Sequence, residues 1–153
     1  DFLLFAFDTG QQEHPIWKLV ERLKLLDRIS FVPFHHEAEP LLLHGDLYLH
    51  VLPTRRVQYR TLEAMARGLA VVSCANSGAD YLVDGHTCRV VPKPTTGAWR
   101  AALEELLTDK GRAVALARQG QQLMASRHPM SRTIEQFTSI CHQAAGTPIK
   151  LPT

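Results

Sequence analysis

A short helix predicted over Thr61–Arg67 gathers the residues of this sequence best placed to do chemistry. The backbone N–H groups of Tyr59, Arg60, Thr61 and Leu62 open it. A helix start carries unpaired donors and a partial positive charge, and so can hold a diphosphate. Glu63 adds a carboxylate. Such a group accepts hydrogen bonds at about four lone-pair positions, which suits a vicinal diol. Its negative charge is also favoured near a helix start. Upstream, Arg55 offers a planar guanidinium fork that pairs with phosphate or carboxylate. The plainer alternatives are a Glu on a solvated helix surface and an exposed loop Arg.

Other chemistry has less support. No GxGxxG follows a strand, so a dinucleotide site is not indicated. The GxxxxGK(S/T), GxSxG and HExxH patterns are absent as well. His35-His36 and the scattered His14, His44, His50, His86, His128 and His142 lack metal-ligand spacing and are read as structural or solvated. Cys74, Cys88 and Cys141 are an odd set with no CxxC, which argues against a disulfide framework or a zinc site and fits a reducing cytosol. Neither a metal nor a cofactor is expected.

The elements that must position these residues alternate. Phe2–Phe7 reads as a buried parallel strand, bounded by Asp8-Thr9-Gly10. Pro15–Leu26 follows as a helix with one apolar face of Ile16, Leu19, Val20, Leu23 and Leu26. Ile29–Val32 is a second strand ended by Pro33, and Glu37–His44 a short helix. Asp46–Leu52 is a third strand stopped by Pro53. After the helix over Thr61–Arg67, Gly68 is a natural C-terminal stop. Leu69–Cys74 is a fourth strand, Asp80–Asp84 a helical turn, and Cys88–Val91 a fifth strand. Trp99–Leu107, Arg112–Ser126 and Ser131–Ala145 are helices. This order predicts an α/β class: a Rossmann-like parallel sheet of about five strands, helices on both faces, and a C-terminal helical segment. Ligands in such folds sit beyond the C-terminal strand ends.

Composition agrees with a folded domain. The chain has 153 residues, 45% apolar and 21% charged, which excludes a disordered or fibrous class. A formal charge of +2 gives no ground for a nucleic-acid partner. No apolar run approaches the roughly 20 residues of a membrane span. Trp17 and Trp99 lie on helical stripes and are read as packing residues.

The stretch Asp46-Leu47-Tyr48-Leu49-His50-Val51-Leu52-Pro53, followed by Leu62-Glu63-Ala64-Met65-Ala66-Arg67-Gly68-Leu69-Ala70-Val71-Val72, resembles the family 4 glycosyltransferases. Their pattern is a strand that begins with Asp and ends in Pro, then LEAMAxGxPVV; Ala70 stands at the Pro of PVV. Asp27-Arg28-Ile29-Ser30-Phe31, Tyr81-Leu82-Val83-Asp84-Gly85-His86-Thr87 and Val90-Val91-Pro92 are similar to further family blocks. Ala79-Asp80-Tyr81-Leu82 and the His of the third strand look like the lipopolysaccharide core glucosyltransferases.

The resemblance implies one half of a two-domain GT-B fold. Residues 1–145 match its C-terminal, nucleotide-sugar-binding half without the first strand of that half, and 146–153 form a flexible tail. The family's C-terminal half grips a nucleotide-diphosphate sugar, with a UDP-sugar the expected donor. Its N-terminal half, expected as a missing partner domain, binds a glycan or lipid-linked acceptor. Transfer retains anomeric configuration and uses no active-site metal. A cytoplasmic location is expected, at the inner membrane face with peripheral association. The absent strand belongs centrally in the sheet, so open edges and low stability are expected of the chain alone.

Residue by residue, Glu63 stands at the second Glu of the family's E-x7-E motif, which implies contact with the donor ribose hydroxyls. Arg55 stands at the first Glu, whose family role is to bind the donor hexose. A cation cannot accept those hydrogen bonds. Arg55 therefore pairs with a phosphate or an anionic sugar, or the site has lost catalysis. The second possibility describes a degenerate module that binds a nucleotide sugar or a protein without turnover. Gln58 and Tyr59 are bulkier than the Gly the family often has there. Thr9, Gly10, Pro33 and Phe34 match positions that contact the nucleotide, with Phe34 stacking on a base or covering the sheet edge. Cys88 stands where the family usually has Gly and, with Cys74, is read as a small buried residue.

Overall fold

A computed structural model of the chain describes residues 2–8, 15–33, 39–51, 59–75, 79–127 and 130–146. Two compact units divide it, Asp1–Gly45 and Asp46–Thr153.

The first unit is β1 (Leu4–Asp8), α1 (Pro15–Arg22), β2 (Ile29–Pro33) and α2 (Glu39–His44). β1 and β2 pair in parallel, from Leu4 opposite Ile29 to Asp8 opposite Pro33. The expected strand and helix are present, with two differences. The apolar run at the start is not buried: Phe2, Leu3, Leu4 and Phe5 are all exposed. Among the described residues β1 pairs with β2 alone, and two strands bring too little surface to cover one another. On α1, likewise, Val20 is buried while Ile16 and Leu19 are exposed, as is Leu23 just after the helix. Trp17 packs on one side only: its ring centroid is 4.3 Å from that of Phe31 on β2, yet the residue is exposed.

The second difference is where α1 stops. Lys24 has φ 54°, in the left-handed region. The Leu25 N–H then reaches the Val20 carbonyl at 3.0 Å, and the Lys24 N–H reaches that of Glu21 at 2.9 Å. These two bonds make a Schellman cap that turns the chain before Leu26.

The second unit holds β3 (Leu47–His50), α3 (Tyr59–Ala66), β4 (Ala70–Cys74), β5 (Arg89–Val91), α4 (Thr96–Thr108), α5 (Lys110–Arg127) and α6 (Met130–Gly146). Its strands are parallel in the order β3-β4-β5. β4 is buried along its whole length, as its Val-rich sequence predicts for a central parallel strand. Residues paired across parallel strands share a face. Leu47 and Leu49 thus lie on the face of Ala70, Val72 and Val91, where Ala102, Leu106 and Leu116 of α4 and α5 complete the core. Tyr48, His50, Val71 and Ser73 lie on the other face.

α3 ends on the same cap as α1, with the expected residue. Gly68 has φ 79°, and the N–H groups of Leu69 and Gly68 reach the carbonyls of Ala64 and Met65, each at 3.0 Å. Thr95 caps α4 by accepting the Ala98 N–H at 3.2 Å. Asp109 closes α4 and opens α5, its carboxylate accepting the Arg112 N–H at 2.9 Å.

The helical turn expected over Asp80–Asp84 forms only at its start, where the Leu82 N–H reaches the Ala79 carbonyl at 3.1 Å, and does not continue to Asp84. Thr87, buried, accepts the Val83 N–H at 2.9 Å and donates to the Tyr81 carbonyl at 2.6 Å. Its hydroxyl takes backbone groups that a helix would have paired, and Asp84 bridges to Cys88 instead. Cys74 and Cys88 are buried, and burial with Asp84 nearby pushes the Cys88 thiol up to about 12.

Arg89 fastens β5 to its surroundings. Its guanidinium meets Glu105 of α4 at 2.8 Å and Asp84 at 3.1 Å, and Glu105 also meets Arg112 of α5 at 2.6 Å. The Arg89 hydrogen bond holds Glu105 below the usual carboxylate range. For Asp84, burial works upward, but the Val90 N–H and Arg89 outweigh it and lower the value.

Two outcomes follow. Lys24→Gly removes the left-handed cost, and raises stability by about 1 kcal/mol, read as a higher urea midpoint at unchanged m. A lower midpoint excludes the cap geometry. Depressed carboxylate values contribute stability above the ordinary value near 4 that is lost as pH falls through the folded value. Acid melts of Arg89→Ala therefore show a shallower loss of stability below about pH 5; an unchanged slope contradicts the network.

Candidate functional site

β3 and α3 build the candidate site within the second unit. Alternation along β3 puts Tyr48 and His50 on one face, with His50 at the C-terminal end of the strand. α3 packs on β4 and supplies Thr61, fully buried, toward Tyr48. Burial raises the Tyr48 phenol above its usual value, against the opposing effects of Thr61 and Arg60. It is therefore a protonated hydroxyl at neutral pH.

Tyr59, Arg60, Thr61 and Leu62 are the first four residues of α3. The first four N–H groups of a helix have no acceptor inside it, so this end is the donor-rich one. The Tyr59 side chain is exposed. Glu63 is the next residue, and one part of its sequence-based rationale needs correction. The first turn of α3 holds no acidic residue. The helix dipole fades within that turn, so it does little for this carboxylate.

Two arginines do more. Arg67 Nη2 lies 3.4 Å from Glu63 Oε1, and Arg60 Nη1 lies 3.6 Å from Oε2. Both separations exceed the 2.7–2.9 Å of a strong charge-assisted bond. The Glu63 side chain is 16% exposed, yet Oε2 is buried and accepts no hydrogen bond. A carboxylate held between cations with acceptor capacity left over is suited to ligand hydroxyls.

The structure also brings together a pair that sequence reasoning set aside. His50 and Ser73 are register partners on β3 and β4, both buried. His50 Nδ1 and Ser73 Oγ are 3.0 Å apart. Burial lowers the His50 pKa from its usual value. A signal was available: each is a polar residue within an otherwise apolar strand, and such groups persist in a core when something bonds them.

Arg55, Thr9, Gly10 and Phe34 lie outside the described residues. Pro33 is the last residue of β2, in the first unit. Among the described residues no three His, Cys, Asp or Glu side chains are grouped to hold a metal ion. Among them, too, no helix is long and apolar enough to cross a membrane.

Comparison with known proteins adds to this geometry. HepE of Anabaena, solved with UDP, superimposes with a TM-score of 0.78 at 18% identity, over 93% of this chain and 41% of that one. The same protein with UDP-glucose gives 0.79 at 19% identity, over 92% and 41%. Sucrose-phosphate synthase of Thermosynechococcus elongatus gives 0.74 at 22% identity, over 93% and 38%. WaaG, a glycosyltransferase of lipopolysaccharide biosynthesis, gives 0.69 at 22% identity, over 90% and 37%. The chain thus spans about two-fifths of the length of these structures. The likenesses establish the α/β fold of parallel strands and helices on both faces. No curated protein sequence matches the chain. Residues 8–109 match the family described as glycosyl transferases group 1. That match covers most of the sequence and includes β3, α3 and the Glu63 site, so the chain belongs to the glycosyl transferases group 1 family.

Proposed function

We propose that this chain binds the nucleotide-diphosphate sugar of a glycosyl transfer reaction, with Glu63 accepting from the ribose diol and the start of α3 holding the diphosphate. The observation that carries the reading is the buried, unbonded Glu63 Oε2 beside Arg60 and Arg67. A diol supplies the two O–H donors that such a carboxylate lacks. The N–H groups of Tyr59–Leu62 supply donors for phosphate oxygens. In the reaction the bond from sugar C1 to the diphosphate oxygen breaks, one from C1 to an acceptor hydroxyl oxygen forms, and the hydroxyl proton leaves with the diphosphate. Donors at a helix start stabilise the charge that grows on the leaving diphosphate.

Family membership and the HepE complexes with UDP and UDP-glucose support a UDP-sugar as donor. Retention of configuration and a hexosyl donor are the finer reading. WaaG is involved in lipopolysaccharide biosynthesis, which favours an acceptor of that type; a glycan or lipid-linked acceptor met at the inner membrane face completes the reading. An acceptor-binding half supplies that second substrate. Arg55 pairs with a phosphate or an acidic sugar, and Thr9, Gly10, Pro33 and Phe34 contact the nucleotide.

Calorimetry of the natural full-length protein with UDP tests the ribose contact. Hydrogen bonds to a charged group are worth about 1.5–3 kcal/mol, so Glu63→Ala weakens UDP by roughly 10- to 100-fold. Equal affinity in the variant overturns the assignment. Release of UDP from UDP-glucose in the presence of acceptor distinguishes a transferase from a module that binds without turnover.

A further inference from the structure

The His50–Ser73 pair fixes more than a packing contact. Ser73 Oγ lies 2.9 Å from the Cys74 carbonyl and donates to it. A serine hydroxyl has one proton, and that bond uses it. With that proton given to Cys74, Oγ meets His50 Nδ1 at 3.0 Å as an acceptor, the arrangement in which Nδ1 carries the ring proton. In a neutral imidazole the other nitrogen is then a bare lone pair. Burial, which disfavours the charged ring, keeps it so. His50 Nε2 is buried and has no hydrogen-bond partner.

An unanswered buried acceptor is costly and marks a place where a donor belongs. His50 is the last residue of β3, at the strand end where parallel α/β sheets bind ligands. The partner has to bring a hydrogen. A phosphate oxygen at neutral pH brings none, whereas a sugar hydroxyl does. Resting on the proposed nucleotide-sugar site, we infer that His50 Nε2 accepts a hydrogen bond from one hydroxyl of the transferred sugar, with Ser73 setting the tautomer that makes this possible. His50 is then a specificity residue: it reads the sugar and is indifferent to the nucleotide.

The test compares UDP, UDP-glucose and the monodeoxy analogues of UDP-glucose, with calorimetry on the full-length protein. The wild type discriminates against one deoxy position by about two- to tenfold, the span of a neutral hydrogen bond. His50→Phe keeps a ring of similar size, removes the acceptor, and abolishes that discrimination while leaving UDP affinity unchanged. Equal loss for UDP and UDP-glucose, or discrimination that survives in the variant, overturns the inference. A second readout needs no variant. Nitrogen-detected NMR of the wild type shows an unprotonated Nε2 on His50 that shifts on addition of UDP-glucose and not of UDP. A protonated Nε2, or one that ignores UDP-glucose because a buried water already serves it, overturns the inference also. Failure of UDP itself to bind defeats the underlying site; UDP binding without the His50 effects defeats this inference alone.

Discussion

β4 has water on neither face, and every polar atom along it has to be answered from inside the protein. The ladders to β3 and β5 answer its backbone. Val71 and Val72 need no partner beyond packing. Ser73 does, and its hydroxyl resolves this by donating to Cys74 and accepting from His50. The single polar side chain of a buried strand thereby reaches sideways and sets the chemistry of the neighbouring one. The strand end that faces the start of α3 inherits its hydrogen-bonding character from this constraint.

Glu63 illustrates the opposite arrangement. It is charged and mostly buried, but its neighbours are cations at distances too long to saturate it. A fully bonded ion pair there would make a rigid strut with nothing to offer a ligand. Arg67 donates to Oε1 at 3.4 Å, while Oε2 keeps its lone pairs for a ligand. The same side chain on an open surface would bond water and lose that selectivity.

Much of this was legible in the sequence, and the misses have identifiable causes. The alternation of strands with helices, the Val-rich β4 and the stop at Gly68 rest on local rules that the structure obeys. The block around Glu63 pointed to the family because residue order there is specific. Lys24 was missed because a Lys gives no advance notice that it will adopt the conformation usual for Gly. The turn at Asp80–Asp84 stops short because Thr87, outside the segment, takes the backbone groups of Val83 and Tyr81. The exposed face of β1 was misread because an apolar run shows what a strand could bury, not what is there to cover it. His50 shows no metal-ligand spacing, so no local metal pattern marks it. Its partner is across a strand register that no local pattern displays.

The three cysteines were placed by packing, and the result separates them cleanly. Cys74 and Cys88 are enclosed, their thiols pushed toward the unreactive form, whereas Cys141 stands exposed on α6. Thiol chemistry depends on access and on thiolate. A maleimide dye or spin label therefore finds one address among the cysteines of this chain. The molecule carries a built-in attachment point on its last helix, remote in sequence from Glu63 and His50, through which movements of that helix can be followed without engineering a cysteine.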